Sequence, residues 1–394
     1  MPDPTEDGTK TFVSRRQLLS TAGASGVALA AGCAGNGGGN GNGGNGNGNG
    51  GGGNGNGNGD GSGGDGSGDD AVVSAAWIYF ADAGDQGWTA SHDGGRQATV
   101  EAMDDLESDF VENVDAANVE QTASQYAEQG FDIVFGASAS FTDPMAAASE
   151  QYPETAFEVA SGIDTGENYG SYYVKLYHAR YLVGYAAGML TENDSVGYVA
   201  ANPVSTVYQD INAFASGLAD ANADATLYLR WTNAWYDPPT EGENAQTLID
   251  DEDVDVMAQH QDSAAAIETA AENGIWGSGY AQSMSEFAGE NYLMTPVFNW
   301  EETYVPLIEA ARDGEWEAGM TFPGIGEGAA ALSEPGPEVP EDVLEEVMGI
   351  RDEMIDGDAD EIVWSGTPYA DRTDEEILFG SDTLGLDNID GDEL

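Results

Sequence analysis

Hydrophobic positions fall into three regimes along the chain. Residues 20–32 form one short apolar stretch, preceded by Ser14-Arg15-Arg16-Gln17-Leu18-Leu19 and ended by Cys33. Residues 34–70 are almost wholly Gly, Asn, Asp and Ser, with nothing to bury. From about 71 to 380, apolar runs of strand length alternate with segments of helical periodicity. The predicted strands are 71–81, 131–136, 156–160, 196–200, 225–231, 254–258, 275–279 and 293–297. The helices expected around them cover 89–106, 144–151, 177–190, 210–221, 243–249 and 264–273. Strand, crossover helix and strand in this succession give parallel α/β sheets, whose ligands sit beyond the C-terminal ends of the strands.

The first regime is too short to span a bilayer, which takes about 20 apolar residues. Its arginine pair reads as a twin-arginine export signal. Leu29-Ala30-Ala31-Gly32 before Cys33 reads as a lipobox, with the leucine four residues before the cysteine rather than the usual three. Cys33 is the only cysteine and is the expected lipidation site. The Gly/Asn run is then a tether with an r.m.s. reach of roughly 30 to 37 Å.

Charge changes the picture of the solvent. The chain has 72 acidic and 10 basic residues, a formal charge of -62. So many like charges strain a compact domain at ordinary ionic strength, whereas a Debye length of about 3 Å at 1 M salt relieves the repulsion. The acids are scattered through amphipathic segments, as on the hydrated surface of an extreme halophile. With no basic stripe to neutralise phosphates, nucleic acid is excluded as a partner.

Candidate chemistry lies where the sheet rule puts it. Asp82-Ala83-Gly84-Asp85-Gln86-Gly87-Trp88 follows the first strand, and Asn233-Ala234-Trp235-Tyr236-Asp237-Pro238-Pro239 follows the 225–231 strand. Each joins aromatic faces to a carboxylate, a pairing suited to a planar, hydroxylated ligand, since stacking on an aromatic side chain contributes about 1 to 3 kcal/mol per base. Two more polar loops, Ala137-Ser138-Ala139-Ser140-Phe141-Thr142-Asp143 and Gln259-His260-Gln261-Asp262-Ser263, also follow strands. The three histidines, His92, His178 and His260, show no metal-ligand spacing. Nucleophile-elbow, Walker A and dinucleotide motifs are missing from residues 71–380, so neither a catalyst nor a cofactor site is expected.

An ordered series of segments resembles the basic membrane protein (BMP) family of solute receptors, which includes purine nucleoside receptors of ABC importers. The series runs WIYFADAGDQGWTASHDGGR (77–96), AEQGFDIVFG (127–136), YPETAF (152–157), YHARYLVGYAA (177–187), VGYVAA (196–201), AWYDP (234–238), QHQDS (259–263) and TPVFNW (295–300). The resemblance implies a type I periplasmic-binding-protein fold, two Rossmann-like α/β lobes with parallel sheets joined by a three-crossing hinge. The lobes would comprise 71–173 plus 294–322 and 174–293 plus 323–380, leaving 381–394 as a frayed acidic tail. It also implies a monomeric receptor that hands a purine base or nucleoside to an ABC permease. Its ligand-binding residues would be Asp85, Trp88, Ser138, Phe141, Trp235, Asp237, Asp262 and Tyr280. Where relatives carry a carboxylate associated with ribose, this chain reads Gly279-Tyr280-Ala281, which favours a free base such as adenine. The alternative is a receptor of the same fold for another small solute, or for a sensor.

Overall fold

The computed structural model describes residues 72–84, 87–380 and 384–391. The arginine pair, Cys33 and the Gly/Asn run lie outside the described residues. In chain order the strands are β1 (Val73–Ile78), β2 (Leu106–Val111), β3 (Ile133–Gly136), β4 (Ala156–Ala160), β5 (Tyr169–Tyr172), β6 (Ser195–Ala200), β7 (Thr226–Trp231), β8 (Val256–His260), β9 (Trp276–Ser278), β10 (Pro296–Phe298), β11 (Met320–Thr321), β12 (Ala330–Leu332) and β13 (Ile389–Gly391). They build a six-stranded sheet in the order β11-β5-β4-β3-β1-β2 and a five-stranded sheet in the order β13-β7-β6-β8-β9; β10 and β12 form a separate antiparallel pair. Every pairing within the two larger sheets is parallel. The parts built on these sheets are the first and second lobe.

Parallel strands covered on both faces read as near-continuous apolar runs. β6, SVGYVA, is buried at every position, and β1 aligns Val73 with Leu106 on one side and Ala75 with Ile133 on the other. β2, LESDFV, escapes the sequence reading because it is an edge strand with half its side chains in solvent. The chain crosses between the lobes three times: after β5, between β9 and β11, and between β11 and β13. Two crossings run side by side, with Tyr173 N–H donating to Thr321 O at 3.0 Å and Lys175 N–H donating to Pro323 O at 2.9 Å. Lys175 Nζ then reaches Asp360 Oδ2 and Asp374 Oδ1, both at 2.7 Å, tying the crossings to the C-terminal helices Ala359–Trp364 and Asp374–Leu378.

In the second lobe, helices Tyr177–Leu190 and Ser205–Ala221 touch through glycine. A Cβ on Gly184 would lie 2.0 Å from Phe214 O, and one on Gly217 2.0 Å from Tyr181 O, so the backbones meet only because both side chains are absent. The stretch expected as a frayed tail instead supplies β13, which pairs Ile389 with Leu227 and Gly391 with Leu229. Ile389 packs against the main apolar cluster, and that burial fixes a segment whose acidic composition suggested fraying.

Candidate functional site

Three strand-end loops converge on one cavity of about 730 Å³. From the first lobe, the β1 loop contributes Phe80, Asp82 and Gly84, and helix Gly87–Ala102 contributes Trp88 and Thr89. From the second, the β7 loop contributes Trp235 and Tyr236, and the β8 loop Asp262, Ser263 and Ala264. Of the residues nominated from sequence, the structure thus brings together Trp88, Trp235 and Asp262.

The others stand elsewhere. Asp85 lies outside the described residues. Ser138 caps its own turn: its Oγ accepts the Ser140 N–H at 3.3 Å. Phe141 is fully buried, packed with Met145 and Val134 in a core cluster of the first lobe, and so is removed from the cavity. Asp237 caps helix Pro238–Glu252, its Oδ1 accepting from Thr240 N at 3.3 Å and its Oδ2 from Thr240 Oγ1 at 2.9 Å. The proline after it suits the first helical position, so this loop's carboxylate serves the helix start. Tyr280 is buried and stacks on His260 at 3.8 Å between ring centroids.

The two walls differ in chemistry. On the first-lobe side Trp88 donates from Nε1 to Ala137 O at 2.8 Å and meets the rings of His92, Trp300 and Phe298 at 4.5, 5.4 and 5.5 Å. His92 is stacked on Trp300 at 4.0 Å, and burial holds its imidazole well below the usual histidine range, so it is a neutral member of an aromatic core. Behind Tyr280, on the second-lobe side, lies a buried ionic network. Arg180 donates to Asp210 Oδ2 at 3.3 Å, to Gly279 O at 3.2 Å and to Gln259 O at 2.9 Å, and so holds the C-terminal ends of β8 and β9. His260 Nδ1 lies 3.1 Å from the same Asp210 oxygen, and burial pushes its pKa down against that carboxylate's pull.

Asp262 joins the walls: its Oδ1 accepts the Trp88 backbone N–H at 2.8 Å. Burial pushes its carboxyl up to about 6, the Trp88 N–H opposing the rise and nearby Glu241 adding to it. Ser263 Oγ donates to Glu241 Oε2. Asp82 accepts from Asn113 Nδ2 at 2.6 Å. Asn113, Glu268 and Phe287 also line the cavity and were not foreseen. Asn113 follows β2, the strand whose polar pattern hid it, and Phe287 sits on a short helix, Ser285–Ala288, with no motif around it.

The geometry suits reversible capture: aromatic faces and carboxylates lie along a space of small-molecule size. Residues 72–357 match the Bmp family, described as ABC transporter substrate-binding protein PnrA-like. A Haloferax volcanii protein whose name proposes it as the glucose-binding protein of an ABC transporter is 40% identical over 97% of this chain and 98% of its own length. A purine-binding protein of Brucella abortus is 34% identical over 69% of this chain and 77% of its own. Among solved structures, an ABC transporter solute-binding protein from Conexibacter woesei superimposes with a TM-score of 0.62 at 21% identity, over 72% of this chain and 97% of that one, a likeness of fold.

Proposed function

The chain belongs to the PnrA-like family of ABC transporter substrate-binding proteins, non-enzymatic carriers that bind a small molecule and deliver it to a permease, and from that premise we propose that it captures a purine base or nucleoside in the cavity between its lobes. The observation that carries this reading is the placement of Trp88 and Trp235, from opposite lobes, along one cavity together with Asp262. Each indole face can stack on a base for about 1 to 3 kcal/mol, and the carboxylates accept its N–H groups.

The preference for the free base rests on the resemblance, which puts Ala281 where relatives carry a carboxylate associated with ribose; Ala281 itself is not among the residues that line the cavity. Ala281 is buried and holds φ at 67°, a backbone region that asparagine, aspartate and glycine enter more readily than alanine. A hexose is the second reading, favoured by the relative named for glucose, because an indole face also shields the C–H face of a sugar while carboxylates accept its hydroxyls. Titration calorimetry in molar KCl with adenine, adenosine and glucose separates them. Adenine binding at least as tight as adenosine supports the proposal; glucose binding without any purine heat replaces it with the second reading.

The membrane connection is also a proposal. No helix among the described residues is long and apolar enough to cross a membrane, so retention would come from lipid on Cys33 after twin-arginine export. Cys33→Ser should release a folded domain into the medium of cells grown in high salt. A variant that sediments with membranes as firmly as the parent would refute the anchor.

A further inference from the structure

One contact across the cavity is made wholly by protein groups. The backbone N–H groups in the first turn of a helix have no partner within the helix, and the positive end of the dipole favours a carboxylate. For helix Gly87–Ala102, the Trp88 N–H finds its acceptor in Asp262, on the other lobe and 174 residues away in sequence. The seat for that carboxylate is shaped by Gly87, whose φ is 83°. A Cβ there would lie 2.6 Å from Asp262 Oδ1 and 2.7 Å from its Cβ, so any side chain at this position would keep Asp262 out. Asp262 in turn donates its own N–H to Trp235 O at 2.9 Å, so the loop that carries the second-lobe tryptophan moves with it.

We propose that Asp262 is a closure latch: by seating on Gly87 and accepting the Trp88 N–H it sets the balance between open and closed lobes, and it strengthens ligand capture through closure. The consequence for affinity rests on the cavity being the ligand site; the latch itself does not, because neither partner is a ligand atom. Burial, which pushes the carboxyl up to about 6, leaves it ionised at neutral pH and therefore a strong acceptor for the amide.

The test measures closure directly. Spin labels go on Gln121→Cys in helix Ala116–Gln129 and Glu243→Cys in helix Pro238–Glu252, in the full chain carrying Cys33→Ser. Interlobe distances are read by double electron–electron resonance in molar KCl without added ligand. The latch predicts a short-distance population in the parent that Asp262→Ala and Gly87→Ala each reduce about tenfold relative to the long one, the scale of one hydrogen bond to a charged group. Asp262→Asn keeps a carbonyl oxygen for the amide but not the charge and should recover part of it. Identical distributions in all four proteins overturn the latch, as does a loss with Asp262→Ala that Asp262→Asn does not repair. Circular dichroism accompanies each variant; should Asp262→Ala fail to fold, Gly87→Ala against Asp262→Asn decides. Adenine is then added to the parent. No response to adenine while the variants still differ would sink the purine reading and leave the latch standing.

Discussion

Trp88 and Trp235 line one cavity from opposite lobes, Trp88 from the start of the helix that follows β1 and Trp235 from the loop that follows β7. Trp88 is immobilised: its indole N–H is bonded to Ala137 O and its ring is wedged among His92, Phe298 and Trp300. Trp235 is 41% exposed; turning the Asn202 amide so that its oxygen accepts from Trp235 Nε1 at 3.1 Å gives its edge a single polar support. Behind the first indole is an aromatic core; the loop of the second is held by the β8 loop, with the Asp262 N–H donating to Trp235 O at 2.9 Å and Gln261 Nε2 to Thr232 Oγ1 at 2.8 Å. One wall is therefore preformed by packing, and the other depends on where polar groups hold a loop. A receptor that closes on its ligand needs both, a rigid face to define the site and a movable one to complete it.

The broadest way to break this comparison is to remove salt. With most of the chain's formal charge of -62 carried by the folded domain, that domain should lose cooperative structure in dilute buffer and regain it in molar KCl, with both walls melting together. Circular dichroism and tryptophan fluorescence across a KCl series measure it, and equal stability at both extremes would reject the halophilic reading. Arg180→Met comes next. Removing one partner of a buried pair leaves Asp210 uncompensated, at a cost of about 3 to 5 kcal/mol, and the ends of β8 and β9 lose their donor. Denaturant midpoints should fall while the aromatic wall keeps its near-ultraviolet signature at low denaturant.

The tryptophans themselves sharpen the contrast. Trp88→Ala should lower stability by about 3 kcal/mol, because it opens a void against the aromatic core, and it should weaken ligand binding as well. Trp235→Ala should leave thermal stability close to that of the parent while costing about 1 to 3 kcal/mol of binding, roughly 5- to 150-fold in affinity. Equal losses of stability in the two variants would show that the walls do not differ. A separate effect, read against pH, concerns a group away from the cavity. Glu158 is buried in β4, accepts from Trp316 Nε1 at 3.0 Å, and is pushed by burial up to about 8 from an ordinary 4.5. A carboxyl whose folded pKa is raised stabilises the fold fully below its unfolded value, and that contribution is lost as pH climbs towards 8. Glu158→Gln keeps an acceptor for Trp316 without the charge, so its stability relative to the parent should rise between pH 5 and pH 8. A gap that stays constant with pH would mean that Glu158 is not the group responsible.

Much of the fold was legible because parallel strands covered on both faces tend to be apolar throughout: seven of the eight expected runs fall in the two parallel sheets, while 293–297 leads into β10 of the antiparallel pair. β2, β5, β11, β12 and β13 were not: the edge strands β2, β11 and β13 bury only part of themselves, and β5, Tyr-Gly-Ser-Tyr, and β12 are too short to stand out as apolar runs. At the site, the loops after β1, β7 and β8 were legible from position and composition. The roles within them were not: Asp237 looks like a ligand carboxylate until the helix it caps is in view, and Phe141 looks like a rim aromatic until Met145 and Val134 surround it.

From the chain alone come the alternation that makes two parallel sheets, the acidic composition that predicts a need for salt, and the aromatic and acidic residues placed near strand ends, because each is written in neighbours along the chain. Only the tertiary structure decided that Asp262 meets Trp88 across 174 residues, that Gly87 is the seat that admits it, and that Arg180 holds two strand ends at once. Those contacts join residues far apart in the chain, and their distances are set by the packing of whole lobes, which no local pattern encodes.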